Sequence, residues 1–316
     1  MSRPFRAQDR RVATARLLAA SLFLFGNLLA PKLFAIDIIK VNAPLSASDA
    51  RYDYTHQLLQ KIIDVTSQDF GPAQIEVSYR KESRQRALSS LTQGVDLHIM
   101  AEAPKPSWSA QLLSVKIPIR KGLQGYRILL IHKDNQAALE QVQTLEDLKA
   151  LPTGSGTQWS TLTALQQAGF NVITSSSYDG LFKMLSSKRF TTFARGINEA
   201  YQELEHHEDK KLNLIADHSL LLYLPLPTYF YVTPTQPALK QRVETGMLRL
   251  IDSGAFDRFF FSHHCPDLLR ADIAQRKLFS IDNPNTHTIQ LPQEPKFWLD
   301  IHQDFNLTCS DYTSTM

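Results

Sequence analysis

Ile36-Asp37-Ile38-Ile39-Lys40-Val41-Asn42-Ala43-Pro44 opens a run in which strand and helix patterns alternate, and that alternation decides the fold. Ile36 to Val41 reads as a short apolar strand ended by Asn42-Ala43-Pro44. Tyr54 to Val65 then places Leu58, Leu59, Ile62 and Ile63 at helical spacing. Ile75 to Tyr79 alternates as a strand, and Ser83 to Thr92 reads as a helix stopped by Gly94. Val95 to Met100 is a third strand, and the loop Ala101 to Ser107, with Pro104 and Pro106, breaks the pattern. A βαβαβ run of this kind implies a parallel sheet with helices on its faces.

Val115 to Ile119 and Tyr126 to His132 are predicted strands. Thr144-Leu145-Glu146-Asp147 has the form of a capping box. Pro152 to Thr157 reads as a Gly/Ser-rich turn before a helix marked by Leu162, Leu165 and Ala168 and ended by Gly169. Val172 to Thr174 and Phe190 to Phe193 are strands around a helix over Tyr178 to Lys188, and a helix from Asn198 to His207 precedes a strand over Leu212 to Ala216. Leu224-Pro225-Leu226-Pro227 punctuates the chain, Tyr229 to Val232 is a strand, and Pro237 to Ile251 a long helix stopped by Gly254. After Cys265 an irregular surface tail is expected.

Upstream, residues 1–35 read as a secretory signal: a basic start of five arginines from Arg3 to Arg16, then an apolar run from Leu17 to Ala30, then Pro31 and Lys32, then Leu33-Phe34-Ala35 as a cleavage site. An apolar run of ~14 residues suits a signal core better than a membrane span. Elsewhere no run approaches the ~18 apolar residues a span needs. With the leader removed, 28 basic residues stand against 30 acidic ones, and no basic stripe remains to suggest nucleic acid. In an oxidising compartment Cys265 and Cys309 are either bridged or two buried thiols.

One αβ block, residues 127–228, is thus expected inside another made of 36–126 and 229–316. Two chain crossings between such lobes make a hinge, and the cleft between them is a natural ligand site.

The order of these pieces resembles the type 2 periplasmic solute-binding proteins, and most nearly the extracellular solute-binding family 3, over about residues 36–262. The resemblance is carried by the helix entry Tyr52-Asp53-Tyr54, the strand start Gly94-Val95-Asp96-Leu97, and the crossing strand in Gly125-Tyr126-Arg127-Ile128-Leu129 after Pro118. Thr144-Leu145-Glu146-Asp147-Leu148 followed by Gly154-Ser155-Gly156-Thr157, and the returning helix from Pro237 to Phe260, complete it. The resemblance implies a two-lobed α/β fold, capture of a small solute by lobe closure, no cofactor, a monomer, and delivery to a membrane permease of the ABC type. A ligand-sensing module signalling to a membrane partner is the alternative. The family's carboxylate binders carry an arginine after the third strand. Here that loop offers Lys105, a point charge without a bidentate fork.

The candidate ligand residues follow from the places where such a cleft meets strand ends. Arg195, with Asn198 and Glu199, opens a helix after a strand, where helix N–H groups and a guanidinium favour an anion. A salt bridge from Arg195 to Glu199 or Glu203 is the other reading. Thr157 and Trp159 lie in the glycine-rich loop, Glu102 and Lys105 in the loop after the third strand, and Tyr54 at the first helix entry. His206-His207 and His263-His264 lack zinc spacing, and no catalytic motif is present, so neither a metal nor an enzyme activity is expected.

Overall fold

The computed structural model describes residues 1, 36–43, 52–78, 84–208, 211–287 and 289–313. The rest of the leader and its cleavage site at Ala35 lie outside the described residues. No helix among the described residues is long and apolar enough to cross a membrane.

Five strands make the first sheet: β1 (Asp37–Val41), β2 (Ala73–Val77), β3 (Ile99–Glu102), β4 (Leu113–Val115) and β11 (Tyr229–Val232), in the order β2-β1-β3-β11-β4. β1 runs parallel to β2, Asp37 facing Ala73 and Val41 facing Val77, and parallel to β3 at Val41 and Ile99. The second sheet holds β5 (Tyr126–His132), β6 (Thr153–Gly156), β7 (Val172–Ser175), β8 (Thr192–Gly196), β10 (Leu220–Tyr223) and β12 (Lys277–Ser280), in the order β12-β10-β5-β8-β6-β7, with β9 (Leu214–Ala216) paired to β5. The chain passes from the first sheet to the second between β4 and β5 and returns between β10 and β11.

Helices cover the sheets because their apolar residues recur on one side. Helix α1 (Asp53–Phe70) buries Tyr54, Leu58, Leu59, Ile62, Ile63 and Thr66. These join Val232, Val243, Met247, Phe256 and Phe259 in the core of the first sheet, each such side chain worth about 1.5–3 kcal/mol of burial. The carboxyl end of α1 is closed by a residue far along the chain. Arg242, buried in α9 (Pro237–Asp252), donates to the carbonyls of Ile63 (3.2 Å) and Gly71 (2.9 Å) and to Thr66 Oγ1 (3.0 Å). The Gly71 carbonyl lies just past the helix and lacks a helical partner, which the guanidinium supplies.

Helices α2 (Arg84–Gln93) and α3 (Pro106–Gln111) lie between strands of the first sheet in the chain. Between β5 and β9 come α4 (Gln136–Glu140), α5 (Leu145–Ala150), α6 (Ser160–Gln167), α7 (Tyr178–Ser186) and α8 (Ile197–Glu208). The capping box at Thr144 is formed as expected: Asp147 N donates to Thr144 Oγ1 (3.1 Å), and Thr144 N to Asp147 Oδ2 (2.8 Å).

Several expectations are corrected. The glycine-rich stretch after Pro152 is a buried strand, β6, and not a turn. A Cβ on Gly154 would lie 2.3 Å from the Phe190 ring, and one on Gly156 2.4 Å from the Trp159 ring. These glycines therefore serve the close approach of two aromatic side chains. β3 begins at Ile99 rather than Val95, and β4 ends at Val115 rather than Ile119. β8 spans 192–196 instead of 190–193, which puts Arg195 inside a strand opposite Ile128 of β5. β10 was not foreseen beside the Leu-Pro-Leu-Pro punctuation.

The largest correction concerns the tail. Helix α10 (Ala255–Ala271) continues through Pro266, and β12 and α11 (Phe305–Thr313) follow it. This stretch packs with the cores of both sheets. Phe256 and Phe259 of α10 sit in the first-sheet core, whereas Phe260, Phe261, Cys265 and Leu268 pack with Phe182 and Phe193 of the second. A disulfide joins Cys265 to Cys309, tying α10 to α11.

Asp267 of α10 gives a pH-dependent signature. Burial pushes its carboxyl up to about 6, with Arg270 pulling down and Glu205 pushing further up. The folded state thus holds this proton more tightly than the unfolded chain. The resulting stability is full below the unfolded value near 4 and is lost as pH rises through about 6. Asp267→Asn is expected to change little at pH 4 and to stabilise by about 1–2 kcal/mol at pH 7.5. Denaturant unfolding of both proteins at the two pH values checks this, and an equal difference at both would contradict it.

Candidate ligand site

In open α/β sheets the loops beyond the carboxyl ends of the strands are where ligands bind. Here those ends bring the loop after β3 of the first sheet to the loop after β6 of the second. Lys105 precedes α3 and Gln158 precedes α6, and Lys105 Nζ donates to the Gln158 carbonyl at 3.4 Å. Of the residues expected from the sequence, Lys105, Thr157 and Trp159 lie at this junction. Thr157 is exposed, and its N–H donates to Ser175 O (3.1 Å).

At the carboxyl ends of β1 and β2, Asn42, Ala43, Tyr52, Ser78, Leu97 and Met100 line a hollow of about 10 Å³, room for about one water molecule. Nearby polar atoms have no partner among the described residues: Asn42 Nδ2, His56 Nε2 on the first turn of α1, and Tyr229 Oη at the start of β11. An unsatisfied buried polar group costs about 1–3 kcal/mol, so such groups mark places where a polar partner is accommodated. Burial holds the His56 imidazole below its ordinary value, against Asp53, and so favours its neutral form. Sequence reading missed Asn42 and His56. The available signal was the position of Asn42, directly beyond the first strand.

Tyr54 is elsewhere. It is buried, its hydroxyl donates to Ile119 O (2.7 Å), and its ring packs against Phe259, His263 and His264 with the Arg120 guanidinium 4.1 Å away. It is a core residue joining α1 to α10. Glu102 is likewise buried at the end of β3, with Oε1 accepting from Ala103 N (3.0 Å).

Arg195 is not poised for an anion. Its Nε and Nη2 donate to both carboxylate oxygens of Glu203 at 2.6 and 2.5 Å, and Glu199 lies 3.2 Å away. The Trp159 ring covers its guanidinium at 4.4 Å. Burial opposes the charge on Arg195, but Glu199 and Glu203 outweigh it and hold the guanidinium more firmly protonated than usual. The salt-bridge reading is therefore the one the geometry takes, inside the lobe instead of on its surface. The cause is the strand shift noted above: at its true place in β8, Arg195 points under α8, where Glu199 and Glu203 wait one and two turns along.

Glu199 belongs to the same network. It accepts from Gly196 N (3.1 Å) and Gln124 Nε2 (3.2 Å), and Arg127 lies 3.7 Å away. Burial lowers Arg127 to about 10 despite Glu199. Thr228 Oγ1 donates to Gln124 Oε1 (3.1 Å). Gln124 and Thr228 stand on the first two of the three passages between the sheets, so the network ties those two together. Asn198 Oδ1 is buried without a partner among the described residues.

No protein-family model matches the chain, and no curated protein matches it in sequence. Solved structures do match in fold. An ancestral arginine-binding protein bound to arginine is 14% identical with a TM-score of 0.51, the match covering 72% of this chain and 97% of that one. The probable amino-acid ABC transporter extracellular-binding protein ytmK from Bacillus subtilis is 12% identical with a TM-score of 0.53, over 72% and 98%. A histidine kinase sensor domain with similarity to periplasmic binding proteins is 12% identical with a TM-score of 0.50, over 71% and 94%. The fold is that of the type 2 periplasmic binding proteins.

Proposed function

We propose that this chain is an exported solute-binding protein that holds a small polar solute between two lobes, residues 36–126 with the first part of 229–316 forming one and 127–228 the other. Periplasmic location after cleavage near Ala35 and delivery to an ABC-type permease are parts of this proposal. The observation that carries it is the meeting of the two sheets' carboxyl-end loops at Lys105 and Gln158; Asn42 Nδ2, His56 Nε2 and Tyr229 Oη, without partners among the described residues, add to it. Hydrogen-bonding groups without partners among the described residues, at strand ends, suit a polar solute, in agreement with the fold. The role proposed is binding and not catalysis.

The test uses the mature chain. Solute released on denaturation is identified by mass spectrometry, and its affinity is measured by calorimetric titration against wild type and Asn42→Ala. Loss of one hydrogen bond of about 1–1.5 kcal/mol lowers affinity roughly tenfold. Saturation at 100 times the dissociation constant adds about 2.7 kcal/mol of stability. Unchanged affinity in Asn42→Ala would remove this site from the proposal, and absence of any stabilising polar solute would remove the proposal itself.

A second reading, a sensory module that passes ligand occupancy to a membrane partner, is favoured by the likeness to the kinase sensor domain. Co-purification with a permease supports the first reading, and with a kinase the second.

A further inference from the structure

Each solved neighbour is covered almost whole, yet these matches leave more of this chain uncovered than residues 1–36 can account for. The chain therefore carries structure beyond the shared fold. Its C-terminal stretch has an unusual course.

β12 extends the second sheet beside β10, Leu220 facing Lys277 and Tyr223 facing Ser280. Asn283, wholly buried, donates to Pro225 O (2.7 Å) on the passage between β10 and β11. Asn285 Nδ2 donates to Ser160 O (3.2 Å) at the start of α6, in the second lobe. Four residues later, Ile289 packs against the first-lobe cluster that includes Met100, Trp108 and Tyr229. Phe297 enters the first-sheet core, and Leu299 N donates to Lys121 O (2.8 Å). Leu299, Phe305 and Cys309 then return to the second lobe's core, where the disulfide to Cys265 secures the end.

We propose that the tail from Asn283 to Leu299, of which residues 283–287 and 289–299 are described, is a strap that crosses the cleft and keeps the two lobes closed before any solute binds. Ser160, the first anchor, lies two residues beyond Gln158, and Trp108, a member of the cluster that Ile289 packs on, lies three beyond Lys105. The strap spans the same gap covalently. Between residues 285 and 289 the extended chain reaches at most about 14 Å, so the lobes cannot rotate widely apart while both anchors hold. Ordinarily a solute's differential affinity must supply the closure free energy. Here the strap supplies it in advance, and solute exchange waits on release of an anchor. The proposal does not depend on which solute the cleft holds.

The experiment measures the distance between the lobes without solute. The full mature chain is unfolded, dialysed free of solute and refolded with its disulfide intact. Spin labels on unnatural amino acids replace exposed Gln60 of α1 and Lys183 of α7, and pulsed dipolar spectroscopy reads the distance distribution. Wild type is expected to give one narrow distance. Asn285→Ala with Ile289→Ser, both half-buried positions, is expected to add a longer distance, each lost anchor shifting the open population about tenfold. A broad, open distribution in solute-free wild type overturns the strap. So does an unchanged narrow distance in the double variant with native near-UV circular dichroism. Should the double variant not refold, Asn285→Ala alone is judged by the same two outcomes. Because no solute enters the measurement, failure here leaves the binding proposal standing.

Discussion

Arg195→Ala is expected to destabilise the protein by about 3–5 kcal/mol, because it strands the Glu203 carboxylate inside the second lobe. Both guanidinium bonds to Glu203 disappear, and Trp159 loses the group packed on its face. Tyr178 Oη, which donates to Glu203 Oε1 at 2.7 Å, cannot neutralise the charge. In a domain of this size the melting temperature should fall by roughly 5–10 °C. Arg195→Met combined with Glu203→Leu should recover most of the loss, since Glu203 is no longer stranded and Glu199 keeps Arg127 at 3.7 Å. Calorimetric melting of the three proteins checks this. Had Arg195 been a cleft residue gripping a solute, its removal would spare stability to within about 1 kcal/mol and abolish binding; that combination of results would refute the assignment.

The second large effect concerns the bridge between α10 and α11. Cys265 and Cys309 are 44 residues apart in sequence, and closing a loop of that length contributes about 4 kcal/mol through the unfolded chain. Cys265→Ala with Cys309→Ala should lose most of that amount in equilibrium denaturation. The loss should appear first as proteolytic release of the segment beyond residue 299, because α11 holds to the lobe chiefly through Phe305, Cys309 and their neighbours on α10. A change below about 1 kcal/mol, or cleavage spread evenly over the chain, would show that the bridge is not what secures the strap's end. Expression in a reducing compartment should reproduce the double variant's behaviour.

The two effects bear on different links of the same chain of causes. The Arg195 network, through Glu199, Gln124 and Thr228, joins the first two passages between the sheets from within the second lobe. The disulfide fixes the tail that crosses from outside. Together they tie the two sheets at the passages and, if the proposed strap holds, a second time through the tail.

How much of this was legible beforehand varied with the range of the interaction. The alternation of strands and helices, the capping box at Thr144 and the helix opened by Pro237 rest on neighbours within a few residues, and these were read correctly. Two glycines in β6 were read as a turn, since what makes them suit a strand is the approach of Phe190 and Trp159. Tyr54 was assigned to the ligand on its place at a helix entry, while its burial depends on Ile119, Arg120 and α10, far along the sequence.

The sequence by itself determined most of the alternation up to the helix opened by Pro237, though not β6, β10 or the tail, because backbone propensity, pleat and helical period act between residues one to four apart. It also narrowed Arg195 to two partners, a solute or a nearby glutamate. Only the tertiary structure decided between them: a strand displaced by two residues carries Arg195 under α8, and burial there makes an ionic partner obligatory. The strap was invisible for the same reason. Nothing local in residues 283–299 says which lobe each will touch; that follows from where two folded cores, assembled from distant parts of the chain, leave apolar surface and free carbonyls for the tail to meet.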